Sequence, residues 1–575
     1  MDPPGGSPAT FRFGPYEADA RARELRKRGL RIKLRDKSFE MLVALLERAG
    51  GVVTRDELRR RLWPEGVFVD FDNSLNSTVN RLRGVLGDSP ARPRFIETLP
   101  RVGYRFIGPL EPVRAARPTL AVLPFENLNH DPEQDYFADG VADALTTVLG
   151  NVSTLRVISR QSVLHFRGTQ RTIAEIARQL KADAIVEGSV LRAGGRARIT
   201  AQLVQVAPEQ HLWARSFECE IGDILAIQGD VARAIAEAVQ VALTPAEIGR
   251  LGRSRRVDPE AHLAYLKARH YTGRWSREGF QKGLQYFHLA IEKDPTHALA
   301  YARLADCYAL LGFWGHLPIG EAYPRAREAA LQALALDDTL STAHWALGWV
   351  RWMQDWDLPG CEAACHRAIQ LNPSDEGAHV LYAVFLGTTG RDRAKAVAEA
   401  ELAVDLDPLS LYVNTSAAWI RLFVEDYEGA AERARRTLDM FPGALHAYYV
   451  LGLAQVGLSR YAEAIGAFEK ALAISPDVVS LGYLGNALGR AGHVARAVSI
   501  LQDLLSRRER EHVPIRSFVL LYAGLGEWDR AFEWLEKAYR DRDPMLFWLR
   551  AGPGFQPLRS DPRFDEMLRR IGLSH

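Results

Sequence analysis

Residues 72–106 read DNSLNSTVNRLRGVLGDSPARPRFIETLPRVGYRF, and the fold of the first hundred residues turns on how this stretch divides. Its first half has helical spacing. Leu75, Val79, Leu82 and Leu86 fall at i, i+4, i+7 and i+11, one narrow apolar stripe. At about 100° per residue, Asn73, Ser77, Asn80 and Gly84 point the opposite way, flanked by Asn76 and Arg81, with Arg83 at the border of the stripe. Asp72 or Asn73 is placed to cap the first turn. The second half reads as a hairpin with Arg101 near its tip. Amide, hydroxyl and guanidinium groups are those that read base edges: asparagine pairs bidentately with adenine, and arginine with guanine or a phosphate. A solvated helix face carries similar residues, so the surrounding sequence has to decide.

Upstream, FRFGPYEA, RELRKRG and LRIKLR alternate between turn residues and predict a small antiparallel sheet. DKSFEMLVALLERAGGVV keeps Phe39, Leu42, Val43, Leu45 and Leu46 at helical spacing until Gly50–Gly51. TRDELRRRLW is a second short helix, with Thr54 and Glu57 at capping-box spacing. With the helix of residues 72–86 it makes a helix-turn-helix-like pair joined by a long connection from Pro64 to Asp70. Charge supports a polyanion partner for this head. Through Arg114 there are 22 Lys/Arg against 15 Asp/Glu, whereas the remainder carries 51 against 56.

Residues 11–110 resemble the winged-helix DNA-binding domain of the OmpR/PhoB response regulators, especially its ToxR/CadC-type branch. The landmarks are DKSFEMLVALLERAGGVVTRDEL, the Leu62–Trp63 pair before the long loop, LNSTVNRLRGVLGD and FIETLPRVGYRFIG. The resemblance implies a four-stranded N-terminal sheet, three helices and a C-terminal wing, with Asn73 to Leu86 as the major-groove helix. It implies base or phosphate contact by Asn73, Asn76, Ser77, Asn80, Arg81 and Arg83, wing contact by Arg101, and backbone contact by Arg55. The loop from Trp63 to Asp72 corresponds to a segment through which this family can touch RNA polymerase. Two departures are expected to matter: no receiver domain precedes the head, and no membrane-spanning helix follows it.

A linker at 111–117 leads to residues 118–245, whose strand and helix signals run β-α-β-α-β-β-β-α and predict an α/β domain with a mixed sheet. This region resembles the N-terminal domain of TolB through LAVLPFENL, YFADGVADALTTVL, LRVISRQSV, IARQLKADAIVEGSVLRAGGRARITAQLV and HLWARSFE. The resemblance implies a sensory or adaptor role and no reaction. From 258 to 545 the pattern is helical and repetitive. Pro373, Pro408, Pro442 and Pro476 recur at 35, 34 and 34 residues, and HAYYVLGLAQVGLSRYAEAIGAFEKALAISP has tetratricopeptide offsets at Leu451, Gly452, Ala464, Phe468, Ala471 and Pro476. Residues 546–575 break register and are expected to cap the array. The predicted fold is therefore multidomain: an α+β winged helix, an α/β mixed-sheet domain, and an all-α solenoid.

Phosphate-binding, dinucleotide-binding and nucleophile-elbow motifs are lacking, so no enzyme is predicted and no cofactor. Asp135, Asp139 and Asp143 share a helix face near Asp131 and Glu133. They could hold a hard cation, but the helix dipole also favours acids there. Arg192, Arg196 and Arg198 surround a Gly194–Gly195 turn and could hold an anion or simply be solvated. Cys361, Cys365 and His366, with His344 possible across the pair, lack the second ligand pair of a structural zinc site, and no metal is predicted. Trp314 and His316 sit in an inter-helix insertion that could meet a ligand, and a helix bearing Trp345, Trp349, Trp352 and Trp356 should expose at least one ring.

Four cysteines, no apolar leader and no run of roughly 18 apolar residues predict a soluble, cytoplasmic protein without membrane contact. The expected function is a one-component, sequence-specific transcriptional regulator. It would bind promoter double-stranded DNA, with homodimerisation on DNA possible. Its α/β and repeat regions would sense a ligand, or a peptide or protein partner in the repeat groove. The alternative is a cytoplasmic tetratricopeptide scaffold whose winged helix serves protein contact.

Overall fold

Alternation in the first thirty residues becomes a meander of β1 (Thr10–Phe13), β2 (Tyr16–Asp19), β3 (Glu24–Lys27) and β4 (Leu30–Ile32). It is followed by α1 (Asp36–Glu47), β5 (Val52–Thr54), α2 (Arg55–Leu62), α3 (Phe71–Leu86), β6 (Ile96–Leu99), β7 (Gly103–Phe106) and β8 (Leu110–Glu111). The computed structural model describes every residue except 1–9, 20–22, 28–29, 33, 35, 64–69, 92, 109, 112–116, 132–133, 240, 242, 252–256, 274–276, 314–316 and 574–575. The chain divides into two units at Arg117/Pro118.

In the first unit the N-terminal sheet has five strands, in the order β4-β3-β2-β1-β8, where four were implied. The chain leaving β7 returns past β1, so that Phe13 faces Leu110 and Arg12 faces Glu111. Phe13 anchors this return, with ring centroids 5.5, 5.6 and 5.1 Å from Tyr16, Phe95 and Phe106. A second sheet, β5-β7-β6, ties the wing hairpin to the strand before α2. Pairing of β5 with β7 requires Gly103, because a Cβ there would lie 2.1 Å from the Val53 carbonyl oxygen. The stripe of α3 is buried as its spacing predicts: Leu75, Val79, Leu82 and Leu86 share one core with Phe39, Leu42, Leu45 and Leu46 of α1. Each such side chain contributes about 1.5–3 kcal/mol on burial.

The second unit opens with β9 (Thr119–Val122), β10 (Glu126–Asn127), α4 (Asp135–Gly150), β11 (Arg156–Val157), α5 (Arg160–Leu164), α6 (Ile173–Leu180), β12 (Ala184–Ala193), β13 (Arg196–Val206), β14 (Glu209–Glu220), α7 (Ile224–Ala238), α8 (Pro245–Leu251) and α9 (Pro259–Thr272). The mixed sheet has the order β11-β9-β12-β13-β14, with β10 also on β12. β9 runs parallel to both neighbours and is buried on both faces, which is why it reads as an unbroken apolar run. Leu120 and Val122 point into the core shared with α4, and Ala121 into the one beneath α5 and α6.

Helix pairs follow, beginning with α9 and Arg277–Lys293 and ending with Ile515–Leu525 and Trp528–Arg540. The other first helices are Ala298–Phe313, Ser341–Met353, Glu376–Thr389, Leu411–Phe423, Leu445–Gly457 and Val478–Arg490. Small residues permit the close approach within pairs: a Cβ at Gly452 would lie 2.4 Å from the Phe468 ring.

The face made by the first helices is covered by the chain itself. The α/β part meets the array at the turns leading into Glu376–Thr389 and Leu411–Phe423, through polar contacts. Val157 N–H donates to Ser374 Oγ at 3.1 Å, Ser159 N–H to the Leu406 carbonyl at 2.8 Å, and Ser162 Oγ to Asp407 Oδ1 at 2.6 Å. The tail lies against first helices from Trp352 onward. It does meet the last pair, Arg570 bonding Glu536, but it also spans the first helices. Phe547 lies 5.6 Å from Trp352 and 5.8 Å from Trp356, and Trp548 lies 5.1 Å from Trp419 and 5.5 Å from Phe423. Farther along, Asn486 Nδ2 donates to the Gly554 carbonyl at 3.1 Å. Of the four tryptophans expected to expose at least one ring, Trp356 alone is partly exposed. Trp345, Trp349 and Trp352 are buried, and Trp356, just past the helix end, is sandwiched by Phe547, Tyr539 and Arg542.

Candidate nucleic-acid interface

α3 begins at Phe71 because the Asp70 carboxylate accepts the Asn73 N–H at 3.2 Å, so the cap is Asp70 and not Asp72 or Asn73. The helix ends on Gly87, whose positive φ of 62° suits a residue without a Cβ. Asp88 then turns the chain toward the wing, one carboxylate accepting N–H groups of Ser89, Arg94, Phe95 and Ile96. Burial pushes this carboxyl up, but the four backbone donors outweigh it and hold its pKa below the usual value. α2 starts with a complete capping box, and Thr54 N–H, its hydroxyl and Arg48 together draw Glu57 down to about 2.

These supports leave a polar face outward. Asn73, Asn76, Ser77, Asn80, Arg81 and Gly84 are all exposed. Asn73 Nδ2 donates one hydrogen to Asp70 at 2.6 Å, which leaves its second amide hydrogen and its carbonyl oxygen for other partners. Asn76 Oδ1 accepts from Arg55 Nη2 at 3.0 Å and from Tyr104 Oη at 2.9 Å. Asn76 therefore has only its amide hydrogens to offer, and Arg55 is a link from α2 through α3 to the wing. Tyr104 was not singled out in the sequence; its place in GYRF could have flagged it. Among the described residues Ser77, Asn80 and Arg81 have no hydrogen-bond or ionic partner. Arg48, Arg61 and Arg105, by contrast, are paired with Glu57, Glu47 and Glu97.

Arg83 departs from expectation. It is 5% exposed, and its Nη2 donates to the Ile96 carbonyl and to Thr98 Oγ1, each at 2.8 Å. Its position on the border of the stripe turns it under the helix into the β6 strand, so it fastens the wing and does not face a phosphate. Arg101 sits at the wing tip, exposed, with φ of 64°. Pro100 precedes it and Val102 N–H reaches back to the Leu99 carbonyl at 3.0 Å, the form of a type II turn in which glycine is usual at this place. An arginine in that conformation is retained at a cost of order 1 kcal/mol. Of the Trp63–Asp72 loop expected to touch polymerase, residues 64–69 lie outside those described.

The other sequence candidates resolve into internal contacts. Asp139 meets Arg160, Arg167 and His270, and Asp143 meets Arg269, so arginines balance that acidic face. Arg198 bonds Glu218 across β13 and β14, and Arg192 bonds Tyr136. Cys361 and Cys365 are buried, while His366 faces Tyr382 at 2.8 Å and His344 the Asp338 carbonyl at 2.8 Å. Trp314 and His316 lie outside the described residues. No helix among the described residues is long and apolar enough to cross a membrane.

Comparison with known proteins gives each region a relative. Residues 29–106 match the family of transcriptional regulatory proteins, C-terminal domain. Residues 116–234 match the second domain of HilA/YgeH-like transcriptional regulators, and residues 415–478 a tetratricopeptide repeat. The chain thus carries an OmpR/PhoB-type winged helix, a HilA-like regulator domain and tetratricopeptide repeats. A putative adenylate cyclase 3 of Rhizobium meliloti (strain 1021) is 36% identical over 248 residues, which cover 42% of each chain. The transcriptional regulator HilA of Salmonella typhimurium is 22% identical over 400 residues, 68% of this chain and 70% of that one. The alignment thus spans less than half of the cyclase's length. Among solved structures, the Klebsiella pneumoniae RstA DNA-binding domain in complex with the RstA box is 33% identical, covering 17% of this chain and 96% of that one, with a TM-score of 0.16.

Proposed function

We propose that this protein is a one-component, sequence-specific DNA-binding transcriptional regulator working in the cytoplasm, where promoter DNA is, and that it catalyses no reaction. The observation that carries the reading is the outward face of α3, where Ser77, Asn80 and Arg81 are exposed above a buried stripe and have no partner among the described residues. Asn73, Asn76, Ser77, Asn80 and Arg81 would meet base edges or phosphates in the major groove, Arg101 the flanking groove, and Arg55 would hold Asn76 in place. Arg83 is left out of this set. The α/β and repeat parts would sense a ligand or a protein partner and bias the DNA-bound state, and binding as a homodimer would double the recognised site. A ligand can do this only by its differential affinity for the two states.

The test is selection of random duplexes by the full chain, repeated with Asn80→Ala and Arg81→Ala. An enriched motif that either substitution relaxes at one base position, by about 1–3 kcal/mol, establishes direct readout. Weak, sequence-blind binding that every basic-to-alanine change reduces equally sinks it.

A further inference from the structure

Within the second unit, a cavity of about 180 Å³ lies between α5 and the first helices of the N-terminal repeats. Some of its ionic walls are already satisfied. Arg269 bonds Asp143 at 2.8 and 2.7 Å, and Asp407 accepts both the N–H and the hydroxyl of Ser162. Others are not. Arg160, 9% exposed, lies 3.8 Å from Asp139 but has no partner for its Nε–H. Trp345, 4% exposed, has none for its indole N–H. At Asp306, Oδ1 is unpartnered and Oδ2 has only a long contact to Arg303, 3.4 Å. Native interiors rarely strand buried donors and acceptors around one void. A space of this size holds several waters or one small organic molecule.

The charge pattern selects the class. Three arginines and five carboxylates line the space. A simple anion would meet a net negative wall, and a simple cation would lie against Arg160 and Arg303. A molecule carrying both charges answers both ends, and the Trp345 ring adds a wall suited to an ammonium group. We propose that this cavity binds a small zwitterion of the free amino-acid kind, with its carboxylate on Arg160 and its ammonium between Asp306 and Glu376. The proposal rests on the sensing half of the function proposed above and names its ligand class. Burial pushes Asp306 up to about 6, and burial with the nearby Asp407 and Asp375 carboxylates pushes Glu376 up to about 8. An ammonium arriving there would favour their charged forms, so binding near neutral pH should release protons.

Calorimetry on the full chain, without DNA, tests each of the twenty free amino acids against acetate and methylamine, which carry one charge apiece. The expected result is saturable one-to-one binding of at least one amino acid, with proton release visible as a dependence of the heat on buffer. Acetate and methylamine should bind at least tenfold more weakly. Glu376→Gln, which retains an acceptor for the Ser159 hydroxyl, and Arg160→Gln should each weaken binding tenfold or more while melting as cooperatively as the parent. The proposal is overturned if no amino acid binds the folded chain, if acetate or methylamine binds equally well, or if both variants bind like the parent. Binding that leaves affinity for the selected duplex unchanged would uphold the site and defeat the sensing reading. Loss of all DNA specificity would leave the calorimetric result standing.

Discussion

Two helical faces in this molecule receive opposite treatment. The outer face of α3 is polar, and Ser77, Asn80 and Arg81 are exposed among the described residues of its own unit. In the repeat array, the α/β part meets the turns leading into first helices, and residues 544–560 lie against first helices from Trp352 to Asn486. Repeat arrays commonly present an extended surface to peptides; here the first-helix face is engaged by the chain's own segments. Among the described residues of the first unit, the outward surface of α3 is one of asparagine, serine and arginine. What the protein leaves open inside is a cavity of small-molecule size.

The comparison breaks most readily at the tail. Phe547 is fully buried against Trp352 and Trp356, so Phe547→Ala should cost about 3–5 kcal/mol in urea unfolding followed by tryptophan emission. A loss under about 1 kcal/mol would mean that the tail does not hold those first helices covered. Next in size is Arg83→Ala, which leaves the Ile96 carbonyl and Thr98 hydroxyl without their donor. A loss of about 1.5–3 kcal/mol is expected in the first unit, with the salt dependence of DNA binding unchanged. A reduced salt slope at full stability would return Arg83 to the phosphates.

The polar contacts of the α/β part with the repeat turns should be somewhat weaker and should respond to pH. Ser162→Ala removes a donor to Asp407 and an acceptor for the Leu409 N–H, and should cost about 1–3 kcal/mol. Glu376 and Asp407 have folded values raised to about 8 and about 6. The folded state therefore binds more protons than the unfolded one between roughly pH 4 and pH 8, given ordinary carboxyl values near 4. Their contribution is present at low pH and fades as pH rises through those values. Melting temperature should fall over this range, and Glu376→Gln should flatten the fall. The smallest effect belongs to the bare face: Asn80→Ala should change stability by no more than about 0.5 kcal/mol, read by thermal unfolding, whatever it does to DNA specificity.

What the sequence displayed was local. The α3 stripe, the Thr54–Glu57 box and the small-residue repeat all rest on spacings of a few residues, and all are present in the structure. Arg83 was misjudged because its partners at 96 and 98 lie beyond the helix, and the pattern of α3 alone cannot say which way a border residue turns. The cap was misplaced by two or three residues because Asp70, Asp72 and Asn73 are all competent caps, and the entry path of the chain chooses among them. The return of the tail was not legible either. Phe547 meets Trp352 across nearly two hundred residues of intervening chain, and the four tryptophans were read without the segment that packs on two of them. The cavity is likewise a product of long-range packing, its arginines and acids supplied by elements scattered from α4 to Asp407.

The position of residues 544–560 also sets an order of assembly. The ribosome delivers this segment after every first helix that it covers, so Trp352, Trp419 and Phe423 wait uncovered while the array emerges. A chain cut short before Phe547 would keep that aromatic strip exposed and be a ready target for chaperones and proteases. The aromatic strip is therefore closed only by chain made after it, and its burial follows the synthesis of residues 544–560.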